Sequence, residues 1–101
     1  RLAPNLPTTG EVKVPCAEED KLATVAAITS AFDDHDSSTI DGVRVRFEKN
    51  GQQSGWYLAR KSNTEAILVM RVEANDQETL DEILAMIDER VSPITDISKL
   101  L

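Results

Sequence analysis

Apolar residues follow two different periods along this chain, and the changes of period divide it into successive elements. Residues 11–14 alternate between apolar and charged side chains and end at Pro15, which is typical of an edge strand. From Glu18 to Phe32 the apolar residues recur every three or four positions, which predicts an α-helix. The stripe expected to face the core consists of Leu22, Val25, Ala26, Thr29 and Phe32.

Three strands are predicted in the middle of the chain. Residues 33–38 are polar and acidic, so we expect a loop there. Residues 43–47 alternate strictly, with apolar residues on one face and Arg44 and Arg46 on the other. Asn50-Gly51 suits a type I′ hairpin turn. Apolar residues then return at 56–59 and, most continuously, at 66–72.

The last helix has a capping signal and one apolar stripe. Asn75 and Glu78 have the spacing of a capping box, and the stripe runs from Leu80 to Val91 before Pro93. The predicted order of elements is therefore β-α-β-β-β-α. Tight turns between the later strands imply antiparallel pairing. We expect an α+β fold with a roughly four-stranded, mainly antiparallel sheet and two helices packed on one face.

Length and charge restrict the classes of function. The 101 residues allow one domain, and the formal net charge of −7 makes general nucleic-acid binding unfavourable. No apolar run is long enough to span a membrane, and no signal peptide is recognisable. A single cysteine excludes an internal disulfide and fits a cytoplasmic location. The first residue is Arg1 and no methionine precedes Met70, so we expect a processed product or a part of a longer chain.

The polar hexapeptide at 60–65, between two apolar strands, is the strongest candidate for chemistry. It offers the Arg60 guanidinium, the Lys61 ammonium and the polar groups of Ser62, Asn63 and Thr64. A guanidinium matches two phosphate oxygens, and hydroxyl and backbone N–H groups add further donors. From these residue types alone, an ordinary polar loop is the simpler interpretation and an anion site is the alternative.

Three other features have a functional and a structural interpretation. The run at 33–36, which includes His35, could ligate a metal, but adjacent loop residues rarely converge on one ion and a solvated charge run is simpler. Cys16 precedes a helix start, which could activate its thiol, although a structural cysteine is the simpler interpretation. Arg44 and Arg46 form either a basic stripe or a face paired with neighbouring glutamates.

Residues 60–65 and the apolar strand after them resemble the C-terminal signature of the α-D-phosphohexomutases, an Arg-x-Ser-(Gly/Asn)-Thr run before an apolar strand. Asp41-Gly42 before a strand and Trp56 before the loop also match, and the resemblance covers about 9–91. The Ser-Asn-Thr version is more similar to bacterial phosphomannomutase/phosphoglucomutase than to phosphoglucosamine mutase. In two departures, Lys61 stands where the family often has Pro or Ala, and Ala66 stands where it usually has Pro. The second departure predicts a less rigid loop.

The resemblance implies the fourth domain of such an enzyme, with a TATA-binding-protein-like α+β fold. Residues 1–9 would be an interdomain linker or hinge, 10–91 the phosphate-binding domain and 92–101 a C-terminal tail. The parent enzyme would interconvert 1- and 6-phosphates of a hexose reversibly. Carried over by position, the ligands of the substrate phosphate would be Arg60, Ser62, Asn63 and Thr64.

The resemblance also implies what this domain would lack. It would hold no catalytic residue and bind no cofactor, and Mg²⁺ would be bound elsewhere in the parent. Its partners would be the hexose phosphate and the other domains, with no nucleic acid and no membrane. The alternative from another class is a non-catalytic α+β module that binds a protein or a small effector.

Overall fold

A computed structural model describes residues 6–39 and 42–101 of the chain. The described residues form five strands and two helices, with a 3₁₀ turn at Glu18–Asp20 directly before the first helix. The elements are β1 (Val12–Pro15), α1 (Lys21–Ala31), β2 (Ser37–Ser38), β3 (Val43–Lys49), β4 (Gln52–Lys61), β5 (Ile67–Ala74) and α2 (Gln77–Val91).

All strand pairs in the sheet are antiparallel, and the strand order is β1-β5-β4-β3-β2. Asn50 and Gly51 both have positive φ (57° and 78°) at the β3–β4 turn, as a type I′ hairpin requires. The longest pairings join β4 to β3 and to β5, so β4 is central. The predicted α+β fold, with an antiparallel sheet and two helices, is confirmed.

The strand β2 was not predicted, because residues 33–38 have the composition of a loop. Ser37 and Ser38 pair with Val45 and Arg44, and the Arg46 N–H donates to the Asp36 carbonyl at 2.8 Å. Both serines are exposed at the sheet edge. This strand is formed by backbone hydrogen bonds alone. Because neither side chain is buried, the sequence shows no alternation of apolar and polar residues there.

The core lies between one face of the sheet and both helices. The alternating residues of β3 face inward, as predicted, and Tyr57 and Met70 are fully buried beside them. Phe32 makes edge-to-face contacts with Phe47 and Tyr57 at 5.9 Å between ring centres. The remaining core residues from the sheet and helices are Val14, Ile28, Ala59, Leu68, Val72, Ala74, Leu80, Ile83, Ile87 and Val91.

The helix α1 buries a different face from the one that its apolar stripe predicts. Lys21, Thr24 and Ile28 are its buried residues, whereas Leu22 is 72% exposed. The predicted stripe is therefore wrong at Leu22 and Ala26, whereas Phe32 is buried as predicted and Val25 packs partly against the core. The reason is that a lysine occupies the inward position at the start of the helix, where it has polar partners.

The helix α2 follows its predicted stripe but begins at a different cap. Asp76 is the N-cap, and its carboxylate accepts a hydrogen bond from the Thr79 N–H at 2.8 Å. The predicted cap, Asn75, instead donates its side-chain amide to the Gln53 carbonyl at 3.0 Å, across to β4. Because the Asn75 side chain is bonded to β4, the adjacent Asp76 caps the helix.

Both ends of the described chain pack against the sheet. Thr9 exchanges hydrogen bonds with Val72, and the Ala74 N–H donates to the Pro7 carbonyl at 3.0 Å. Residues 1–5 of the expected linker lie outside the described residues. In the segment 92–101, Ile97 and Leu100 are buried in the same core.

The acidic run is tied to α2 by an ion pair. The Asp34 carboxylate accepts from both terminal nitrogens of Arg90 at 2.7 and 3.2 Å, and it also lies 3.0 Å from His35 Nδ1. Arg90 also donates to the Ala31 carbonyl at 3.1 Å and lies over the Phe32 ring. Asp34 thereby fastens the end of α1 to α2.

Gly42 allows β3 to approach the end of β4 closely. Its φ is +124°, and a Cβ there would lie 2.4 Å from the Ala59 carbonyl oxygen and 2.7 Å from the Arg60 Cα. Its neighbour Asp41 lies outside the described residues. A side chain at position 42 would therefore displace the strand end that carries Arg60.

We expect Gly42→Ala to lower the free energy of unfolding by about 2–5 kcal/mol, because overpacking and left-handed backbone strain act together. The matched control is Gly51→Ala, where φ is +78° but no atom lies within 4 Å of the added Cβ. Its cost is limited to about 1–2 kcal/mol of backbone strain. Urea unfolding measures both, and equal losses would contradict the close approach.

Stability should also fall in acid because of Asp34. The Arg90 guanidinium, and then His35, hold the pKa of Asp34 well below its ordinary value of 3.8. A carboxyl whose pKa is lowered by folding stabilises the fold above its unfolded pKa, and this stabilisation is lost as pH falls below about 4. We expect Asp34→Asn to flatten the dependence of the urea midpoint on pH between about pH 5 and 2. The adjacent, exposed Asp33→Asn is the control, and an equal flattening by it would contradict the assignment.

Candidate functional site

The connection between β4 and β5 is shorter than the hexapeptide suggested. Arg60 and Lys61 are the last residues of β4 and pair with Val69 and Leu68 of β5. The Ser62 N–H adds one more cross-strand bond, to the Ile67 carbonyl at 3.2 Å. Residues 62–66, which we call the phosphate loop after the ligand that the sequence predicts there, therefore start at Ser62, and Arg60 is held on a strand.

Strand alternation separates the two cations next to the phosphate loop. Ala59 is fully buried on the helix side of the sheet, so Lys61 extends on that side and Arg60 on the opposite face. The Arg60 side chain is 41% exposed, and its Nη2 lies 4.0 Å from the Glu11 carboxylate. Its guanidinium is thus accessible to a ligand.

Ser62 organises the phosphate loop through its side chain. Its Oγ accepts hydrogen bonds from the N–H groups of Thr64 and Glu65, both at 3.2 Å, and it lies 3.4 Å from Thr64 Oγ1. The structure thus brings Ser62 and Thr64 together around the exposed Asn63. Because Ser62 Oγ accepts both N–H groups, its own proton can be donated only to Thr64 Oγ1 or to a ligand.

A lysine outside the loop, which the sequence did not single out, holds the loop from beneath. The Lys21 side chain is 1% exposed, and its Nζ donates to the carbonyl oxygens of Ser62 at 2.6 Å and Glu65 at 2.5 Å. The Glu18 carboxylate lies 2.7 Å from the same nitrogen. The signal that could have revealed Lys21 is its spacing in the helix. It lies three and seven positions before Thr24 and Ile28 and therefore shares their buried face.

The carboxylate of Glu65 in the phosphate loop forms an ion pair with β1. Glu65 Oε1 lies 3.2 Å from Lys13 Nζ on β1, and both side chains are exposed. The Cys16 N–H donates to the Ala66 carbonyl at 3.0 Å, just beyond the end of β1. The loop is therefore anchored to β1 as well as to the start of α1.

A groove of about 840 Å³ opens beside the phosphate loop. One wall is α1, with the exposed Leu22 and with Val25, and the other includes Lys61 and Asn63. Four residues of the stripe that the sequence assigned to the core line this groove, namely Leu22, Val25, Ala26 and Thr29, whereas Phe32 is buried in the core. The groove offers an apolar surface on one side and polar or cationic groups on the other.

Candidate metal-ligating side chains are dispersed in the described part of the chain. Within residues 6–39 and 42–101, no three His, Cys, Asp or Glu side chains form a group that could hold a metal. The acidic run is instead used by the ion pair between Asp34 and Arg90. No metal-dependent step is assigned to this part of the chain.

The other sequence candidates have structural roles. Cys16 is buried in the core, and its thiol lies 3.7 Å from Thr24 Oγ1. Arg46 pairs with Glu48 at 3.2 Å, while the Arg44 guanidinium stacks over the Trp56 ring at 4.6 Å. The two arginines are thus engaged on the face of the sheet away from the helices. In the described ranges, neither helix is both long and apolar enough to cross a bilayer.

Sequence comparisons with known proteins identify one family. The family described as "Phosphoglucomutase/phosphomannomutase, C-terminal domain" matches residues 11–90. A phosphomannomutase/phosphoglucomutase of Pseudomonas aeruginosa is 36% identical over 78 residues, which is 75% of this chain and 16% of that protein. A phosphoglucosamine mutase of Methanococcus vannielii is 35% identical over 75 residues, which is 71% of this chain and 16% of that protein.

A solved structure supports the same relationship. The crystal structure of a phosphoglucomutase/phosphomannomutase family protein from Burkholderia thailandensis superposes with a TM-score of 0.61 at 26% identity. The match covers 92% of this chain and 19% of that one. The chain thus spans about a sixth to a fifth of the length of the relatives described here. It belongs to the phosphoglucomutase/phosphomannomutase family, and it corresponds to the C-terminal domain of those enzymes.

Proposed function

We propose that this domain binds the phosphate group of a hexose phosphate in a phosphohexomutase that interconverts 1- and 6-phosphates reversibly. The observation that carries the proposal is the placement of a donor-rich turn directly after an accessible arginine. Ser62 and Thr64 are brought together in this turn, and Arg60 precedes it on β4. Phosphate oxygens are the acceptors that such a set of donors matches.

Each residue has a distinct part in this proposal. Arg60 pairs with two oxygens of the phosphate dianion, and its place on a strand fixes the Cα from which the guanidinium extends. The hydroxyl groups of Ser62 and Thr64 each donate a proton to the phosphate. Asn63, at the exposed tip, contributes its side-chain amide or its backbone N–H. The groove beside Asn63 leaves room for the sugar.

The proposal assigns no chemical step to this domain. Transfer of a phosphoryl group requires positioned charge and a nucleophile around the transferred phosphorus. Magnesium, which the family resemblance places elsewhere in the parent, enters none of the interactions described here. The domain instead binds the phosphate at one end of the substrate while the other domains of the enzyme act on the substrate. The enzyme would work in the cytoplasm.

The boundaries given above are part of the same proposal, with 10–91 as the phosphate-binding domain and 92–101 as a tail. The segment 1–9 connects it to the other domains and acts as a hinge. Within this segment, Pro7 and Thr9 are hydrogen-bonded to β5. The exposed Leu22 at the groove is a surface against which another domain can close.

Titration of this chain with glucose 6-phosphate tests the proposed site. A few charge-assisted hydrogen bonds of about 1.5–3 kcal/mol each, less the cost of association, predict a Kd on the order of 1 mM. We expect the amide signals of residues 60–66 to shift, and inorganic phosphate to act in the same way while glucose does not. Arg60→Ala should weaken binding by about 10- to 100-fold, and Arg60→Lys should recover only part because an ammonium cannot contact two oxygens as a fork.

Arg46→Ala is the matched control for charge. It removes an arginine from the neighbouring strand, where Arg46 pairs with Glu48 and lies outside the loop. If Arg46→Ala weakened binding as much as Arg60→Ala, the site assignment would be wrong. Shifts confined to the sheet face around Trp56 would instead favour the effector-binding module.

The chain alone should show no mutase activity. We expect no conversion of glucose 1-phosphate or mannose 1-phosphate, with or without Mg²⁺, because the domain supplies no group that transfers phosphate. A coupled assay on this chain, with the full-length parent enzyme as positive control, measures this. Turnover above the protein-free blank would show that a catalytic group lies within these residues.

A further inference from the structure

The phosphate loop rests on a fully buried lysine that makes two hydrogen bonds and one ion pair. Lys21 Nζ contacts the carbonyl oxygens of Ser62 and Glu65 and the carboxylate of Glu18. Two of the three donors of the ammonium group bond the carbonyls, and the Glu18 carboxylate supplies the opposite charge. A buried charge is tolerated when it is paired and hydrogen-bonded in this way.

The two carbonyl contacts fix the orientation of two peptide groups. All peptide bonds among the described residues are trans, so the N–H of the following residue points opposite to each carbonyl. With the carbonyls of Ser62 and Glu65 turned inward to Lys21, the N–H groups of Asn63 and Ala66 point outward. The hydrogen bonds of the described residues use the N–H groups of Thr64 and Glu65, but they do not use that of Asn63.

We propose that Lys21 is a positioning residue for phosphate, which it favours by turning the Asn63 and Ala66 N–H groups toward the ligand. This inference rests on the proposed function and deepens it, because it assigns backbone donors that a search for side chains does not find. The ligand chemistry is an oxyanion that accepts from two outward N–H groups as well as from Arg60. Lys21 itself makes no contact with the ligand.

The position of Lys21 has a second consequence for binding. Its contacts link residues 41 and 44 positions apart, so the loop geometry is set before a ligand arrives. A loop that is already ordered loses less conformational entropy on binding. Removing the lysine therefore weakens binding in two ways, through the orientation of the peptides and through the freedom of the loop.

The test compares two lysine variants of this chain in titrations with inorganic phosphate followed by ¹H–¹⁵N spectra. Lys21→Met removes the inner contacts with little change in side-chain volume, and we expect it to bind phosphate about 10-fold or more weakly. Lys13→Met removes a lysine that contacts the same loop from the outside, through Glu65, and we expect a change of less than about 3-fold. Equal affinity of Lys21→Met and the unaltered chain, with both folded, would overturn the inference and leave the phosphate site standing.

The unaltered chain provides a measurement that does not depend on the folding of a variant. On addition of phosphate, the amide protons of Asn63 and Ala66 should move downfield the most and become protected from exchange with solvent. Those of Thr64 and Glu65 should change less because they already donate to Ser62 Oγ. The opposite pattern overturns the role of Lys21, whereas the absence of any shift in 60–66 overturns the proposed function itself.

Kinetics of the full-length enzyme distinguish positioning from general stability. The bound phosphate is the same in the substrate complex and in the transition state, so a residue that positions it contributes equally to both. We therefore expect Lys21→Met to raise KM for the hexose phosphate by about 10-fold while kcat is nearly unchanged. A purely structural loss would lower the amount of active enzyme and hence the apparent kcat. A fall in apparent kcat with an unchanged KM would therefore contradict the inference.

Discussion

The burial of one ammonium group connects the parts of this fold that surround the candidate site. Lys21 lies at the junction of the 3₁₀ turn and α1, and its Nζ reaches the loop between β4 and β5. Taking a charge out of water is expensive, and it is compensated only when every donor finds an acceptor. Each acceptor of Lys21 belongs to a different position in the chain, so the start of α1 and the phosphate loop must be placed together. Loss of either would leave a buried polar group without a partner.

The fold was predictable wherever the hydrophobic pattern and the burial agree. The strict alternation of 43–47 and the stripe of α2 are such cases, because each element places one apolar face on a single core. The prediction failed at α1, where Leu22 belongs to the apolar stripe but is exposed and Lys21 is buried. Periodicity reports only the apolar face, and it cannot show that a charged residue is buried through bonds to distant carbonyl groups. The edge strand at Ser37 was missed for a related reason, since only its backbone takes part in pairing.

The candidate site was predictable to the extent that its residues are contiguous. Arg60 and residues 62–64 form one short run, so residue type and spacing were sufficient to select them. The sequence also predicted a less rigid loop, because Ala66 stands where proline is usual in the family. In the structure two hydrogen bonds from outside the loop hold it. The Cys16 N–H donates to the Ala66 carbonyl, and Lys21 Nζ donates to the Glu65 carbonyl. Both partners are remote in sequence, and no local pattern indicates them.

The local electrostatics is compatible with the phosphate site that we propose in this acidic chain. The net charge of −7 would oppose an anion if it acted evenly over the surface. Around the loop, however, Glu11, Glu18 and Glu65 each lie beside a cation, namely Arg60, Lys21 and Lys13 respectively. The pair with Arg60 is the widest of the three at 4.0 Å, so Arg60 is the cation that an incoming phosphate can most readily engage. Charges more than about 8–10 Å away are largely screened at physiological ionic strength. The local arrangement therefore decides the affinity, while the remote acidic residues act mainly on the rate at which an anion approaches.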